Sequence, residues 1–351
     1  MKINQLLIIL IAFSLGLFSC DNSESPIMEP DPASDGFIEI NGGGATFPNM
    51  AFINLRTGEQ TTVQRQRWDL AFSSGSDFRV LINGTTGAMA YETSATDLNQ
   101  VGEAQAADLR SSGGLDMTFN NMEAILRVDN PANPLNQPII SPVSAVQADN
   151  KVYILNRGSM GADERPWKKI RIVQQNGRYL LQHADLNATT FNTLEIQKDS
   201  DFNFVYVSFE QGKVDVEPKK SDWDFVWNAG TSTTPFPQAV NGTLAYFFQD
   251  LVFHNIYGGV TAVQVLEAEI SYDNFNESHL SGLTLVADNR LTIGSNWRGG
   301  GGPNMAPTIR NDRFYVMKDA RGNFYKVRFL SLTRDGERGR PSFEYALVKA
   351  G

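Results

Sequence analysis

Cysteine is almost missing from this chain of 351 residues, where Cys20 stands alone. No internal disulfide can form, and no thiol beyond position 20 can act as nucleophile or metal ligand. Histidine is nearly as scarce. The three, His183, His254 and His279, are scattered, which excludes a histidine-built zinc centre. After Phe18 no apolar run approaches the ~18–20 residues of a spanning helix. A basic excess is also lacking: the formal net charge is -9, which argues against nucleic acid or an anionic membrane face as partner. No Gly-x-Ser-x-Gly elbow and no His-Glu-x-x-His occurs, and the glycine runs at 42–44 and 299–302 are not followed by Lys-Ser/Thr as a phosphate cradle needs. These gaps favour a binding module over an enzyme.

What is present begins at the N-terminus. Lys2 precedes an apolar run over 6–18, too short to span a bilayer comfortably and so read as an export signal. The run ends in Leu17-Phe18-Ser19-Cys20, which resembles the lipobox of bacterial lipoproteins. That resemblance implies a signal peptide over 1–19, cleavage before Cys20 and a lipid on its thiol, with the membrane as partner through that anchor. Residues 20–36 hold Asp21, Glu24, Glu29 and Asp31 among Pro26, Pro30 and Pro32, with few large apolar groups. Such a stretch cannot bury enough surface to fold and reads as a disordered acidic tether.

The folded region, 37–351, repeats itself. FINL-RTGE-QTTV followed by WDLAF, within 52–72, returns as YVSF-EQGK-VDVE followed by WDFVW, within 206–227. Gly58 answers Gly212, and Trp68-Asp69 answers Trp223-Asp224. VLINGTTG (80–87) answers VFHNIYGG (252–259), with extra residues in the second copy, mostly the Thr/Pro-rich stretch 231–241. VYIL at 152–155 answers FYVM at 314–317, and KIRI at 169–172 answers KVRF at 326–329. Four blocks in one order define two copies, 37–196 and 197–351.

Short Phe/Tyr/Val-rich runs between Gly/Asn/Asp clusters predict sheet. Each copy opens with a hairpin whose Gly takes positive φ, and closes with another. The fold class expected is all-β: two tandem related antiparallel β-sheet domains with few short helices. Residues 97–109 and 262–270 could each be a short helix, the second equally a strand.

The lipobox, acidic tether, Trp-Asp blocks and closing FYVMKDARGNFYKVRFLSL with FEYALV together resemble the HmuY-like haem-binding lipoproteins of the Bacteroidetes. The resemblance implies an outer-membrane, lipid-anchored and surface-exposed protein that captures haem and passes it to an outer-membrane haem receptor. It also implies an axial histidine in the loop that here reads Ser295-Asn296-Trp297-Arg298 and on to Met305, which keeps Trp297 but has no histidine. Haem iron also accepts methionine, and related members use it, so Met305, Met117 and Met122 are candidate axial ligands, with His254 beside them and Trp297 and Arg298 as pocket candidates. His254 has a second reading as a strand residue, and Met117 and Met122 as core thioethers. The alternative is a non-haem ligand-binding or adhesion lipoprotein that retains the fold without the iron ligands.

Overall fold

A computed structural model describes residues 32–300 and 306–351 of the chain; Cys20, the signal peptide and most of the tether lie outside the described residues. The expected all-β architecture is what forms. Twenty strands build two five-stranded sheets, two four-stranded sheets and a short two-stranded one, with one α-helix, Glu103–Ser112, among the described residues. None of the helices there is long and apolar enough to cross a membrane.

The opening hairpins form as the turn chemistry predicts. Asn49–Asn54 pairs with Glu59–Gln64, and Phe204–Ser208 pairs with Gly212–Val214. Gly58 and Gly212 hold φ of 72° and 74°, the left-handed region that a Cβ disfavours. Of the two expected helices, 97–109 resolves into a 3-10 turn, Leu98–Gln100, and the α-helix beginning at Glu103. Residues 262–270 take the strand alternative, as Thr261–Leu266 followed by a turn, with Val263 and Val265 opposite Val316 and Phe314 in a ladder that satisfies their backbone.

The repeats exchange these hairpins. Strand Asn49–Asn54, from the first copy, pairs with Phe225–Pro235 of the second, while Phe204–Ser208, from the second, pairs with Leu70–Ser73 of the first. Of the strands just ahead of the hairpins, only the first crosses into the other copy. Asp35–Glu39 pairs with Glu337–Lys349, and Asn192–Ile196 with Arg178–Asp185. One half of the fold therefore runs continuously from Leu70 to Val214, and the other joins residues 35–64 to 225–349. The boundary read at 196/197 separates the repeats in sequence, but the sheets cross it.

The Trp-Asp pairs hold the exchange in place. Trp68 meets Tyr206 edge-on at 5.0 Å, and Trp223 meets Phe52 at 5.0 Å, a geometry worth about 0.5–1.5 kcal/mol beyond burial. Asp69 accepts the backbone N–H of Phe209 at 2.9 Å, and Asp224 that of Leu55 at 2.7 Å. The four contacts are the same two contacts made twice, each reaching into the other copy.

Their electrostatics differ. Asp69 is clasped by Arg157 through two bonds of 2.8 and 2.9 Å and by Arg165 at 3.0 Å, all in the interior. In the second copy Asp319 stands where Arg157 does in the first. Burial, reinforced by that carboxylate, pushes Asp224 up to about 7. Asp69→Asn should thus cost about 1–3 kcal/mol, because it removes one carboxylate from Arg157, which keeps Glu210 at 2.7 and 2.8 Å, and the charge paired with Arg165. Asp224→Asn should behave differently. A folded pKa raised from 3.8 to about 7 means that wild-type stability falls relative to this variant as pH rises through that window, then levels off. Denaturant midpoints across pH read both; curves for wild type and Asp224→Asn that stay parallel would remove Asp224 as the titrating group.

Candidate functional site

Extra residues in the second copy lengthen the hairpin of Phe225–Pro235 and Thr243–His254 beyond its counterpart in the first. Its outer strand carries Tyr246-Phe247-Phe248, which with Met117, Phe119 and Met160 lines an open groove of about 460 Å³. Phe119, more than half exposed, lies 5.6 Å from Tyr246, which meets Phe248 edge-on at 4.9 Å. Arg298, Gly300 and Arg338 form the rim.

Charge at the rim is unbalanced. Buried Asp250 binds both guanidinium groups, Arg298 through Oδ1 and Arg338 through Oδ2 at 2.9 Å. Two cations share one carboxylate, which leaves a net positive charge beside an aromatic cleft. Arg298 also donates to the carbonyl of Gly300 at 3.1 Å.

Met160 is held by a buried cation. Arg65 donates to the carbonyls of Met160 at 2.9 Å and Gly161 at 3.0 Å, and also to those of Phe47 and Thr85. No carboxylate is among these partners, and burial lowers Arg65 to about 10. Four carbonyl dipoles take the place of a counter-ion. Among the described residues no cluster of three or more His, Asp or Glu side chains could hold a metal ion.

Two of the residues singled out from sequence, Met117 and Arg298, meet in this groove. Met122 is half-buried and outside its lining, and its carbonyl accepts the N–H of Val240 at 3.1 Å. Trp297 belongs to the core: it is buried against Phe329 and donates its indole N–H to the carbonyl of Asp250 at 3.1 Å. It supports the rim from behind and is not a pocket wall. His254 is a strand residue buried at an interior chamber of about 110 Å³ between the repeats, too small for a porphyrin. Burial drives it down to about 4. Met305 lies outside the described residues. Met160 was missed, although Gly158-Ser159-Met160-Gly161 shows the same signal as the Met305 loop, a large apolar side chain among residues that offer it no core.

Arg65→Met should loosen this site in a measurable way. The variant keeps the bulk of the stem and orphans four carbonyls, at a cost of about 2–4 kcal/mol. Hydrogen exchange should rise most around Met160 and Gly161; an unfolding midpoint equal to wild type would show that the carbonyl cage is not needed.

Comparison with known proteins adds the following. The sequence profile described as "HmuY protein" matches residues 46–185 and again 200–345. Among solved structures, the chain is similar to the apo HmuY analog (TFO) of Tannerella forsythia, at 11% identity and TM-score 0.31, covering 91% of this chain and 100% of that one. It is also similar to apo PinO of Porphyromonas gingivitis, at 9% identity and TM-score 0.28, covering 91% and 100%. No curated protein matches the chain.

Proposed function

The chain belongs to the HmuY family, which it carries as two tandem copies, and from that premise we propose that it is a lipid-anchored haem-binding protein of the outer membrane. The observation that carries this reading is the groove: two methionine side chains, Met117 and Met160, among aromatic walls beneath a net-positive arginine rim. A flat apolar macrocycle with two carboxylate tails matches that set. The aromatic walls would take the ring face, and Arg298 and Arg338 would face the propionates. Thioether sulfur is an accepted axial donor to haem iron, and Met305, a few residues beyond Gly300 in sequence, is a further candidate. Haem bound there would supply the iron carried as cargo. A net positive rim favours capture of the anionic ligand, its later release would be to an outer-membrane haem receptor, and the reading is that of a binding protein, not an enzyme.

No histidine lines the groove among the described residues, and this favours a second reading, a non-haem ligand or adhesion module on the same fold.

Titration with haem separates the two. Wild type should shift the Soret band, and Met117→Ala combined with Met160→Ala should weaken binding at least about tenfold. A wild-type spectrum that is the sum of free haem and free protein would reject haem.

The anchor rests on Leu17-Phe18-Ser19-Cys20. Cells given labelled fatty acid should incorporate it into wild type and not into Cys20→Ser, and the variant should leave the membrane fraction. Equal labelling of both would refute acylation at that thiol.

A further inference from the structure

The interior chamber that holds His254 is a different place from the groove, and it exists only because the two repeats meet. Its walls include Trp68 and Trp223, and with them Tyr206 and Phe52, the rings that each indole touches in the opposite copy. Four polar side chains on this wall have buried atoms without a hydrogen-bond partner. They are the indole N–H groups of Trp68 and Trp223, the amide oxygen of Asn228, and both ring nitrogens of His254. The residues are only 6%, 8%, 2% and 1% exposed. One buried polar group left unpaired costs about 1–3 kcal/mol. Four around one small volume point to something that completes them.

The carboxyl groups at the same chamber are already engaged. Glu217 accepts the N–H of Phe204 at 2.8 Å and the Tyr206 hydroxyl at 3.4 Å. Asp129 accepts the N–H groups of Ile82 at 2.9 Å and Ile139 at 2.8 Å. Arg290 donates to the carbonyl of Pro131 at 2.7 Å and lies over the Phe253 ring at 4.1 Å. The unused capacity is uncharged and rich in donors: two indole N–H groups and one imidazole N–H, against one amide oxygen and one imidazole nitrogen.

The chamber disfavours added charge of either sign. Burial pushes Asp129 up to about 7 and Glu217 up to about 8, and the same burial drives His254 down to about 4. Its size sets a second limit. A dry cavity of about 150 Å³ admits benzene, so the volume of about 110 Å³ here suits a few ordered waters or one small molecule. Waters need two to four polar partners each, and much of this wall is aromatic.

We propose that the chamber is a binding site for one small uncharged molecule, smaller than a benzene ring, whose oxygen accepts from the indole N–H groups of Trp68 and Trp223. Asn228 and His254 supply the remaining contacts. Both repeats contribute, so the site is a product of the duplication.

Acetone is the probe, with isobutene as the same skeleton carrying a methylene in place of the oxygen. Of the five tryptophans, Trp68 and Trp223 are assigned in the ¹⁵N–¹H spectrum through Trp68→Phe and Trp223→Phe. Acetone should shift their two indole cross-peaks saturably and leave those of Trp167, Trp227 and Trp297 in place. Isobutene should bind at least about fivefold more weakly, and Ala71→Leu, which fills the chamber, should abolish the shifts. Two results would overturn the proposal. One is that both cross-peaks stay unmoved in wild type at about 20 mM acetone, well above the millimolar Kd such a small ligand can reach. The other is that they exchange magnetisation with water that acetone does not displace, which would make the chamber a water site only.

Discussion

Everything in this fold hangs on a carboxylate gripping the backbone of the other repeat. Asp69 and Asp224 each accept one N–H from the strand end of a hairpin that belongs, by sequence, to the opposite copy. The tryptophan beside each packs on the aromatic residue of that same hairpin. Each grip reinforces a two-stranded unit whose ladder to the rest of its sheet is short, three pairs for Asn49–Asn54 on Phe225–Pro235 and four for Phe204–Ser208 on Leu70–Ser73. The grip also creates the chamber, whose walls are the rings it brings together.

Duplication gave two equal frames, and later divergence made them unequal. The first copy neutralises its buried aspartate with arginine, while the second presents Asp319 at the matching place. The second copy alone extends a hairpin outward, and that extension is the aromatic wall of the groove. The groove therefore draws one side from each half: Met117 and Met160 from the first, and Tyr246 to Phe248 with the arginines from the second.

Much of this could be read from the sequence. The repeat, its hairpins and the positive-φ glycines at 58 and 212 followed from local pattern, which reports turn geometry directly. The exchange did not. Two copies with the same alternation of apolar residues fit each other's sheets as well as their own, so no local signal distinguishes the pairings. Site residues divided along the same line. Met117 and Arg298 were accessible as isolated chemistry, but only three-dimensional placement shows that Trp297 faces the core and that His254 faces a chamber too small for a large ligand. Arg65, which binds the carbonyls of Met160 and Gly161, reads in sequence as one basic residue of a polar linker.

The strand Asp35–Glu39 lies at the edge of the sheet whose next member is Glu337–Lys349, the last strand of the chain. The half between Leu70 and Val214 can close as soon as its own residues are available. In the other half Asp35–Glu39 has no ladder partner until Glu337–Lys349 is available. Closure of that sheet thus waits on strands far apart in sequence, and a chain cut short of Glu337 would leave the edge of Asp35–Glu39 open.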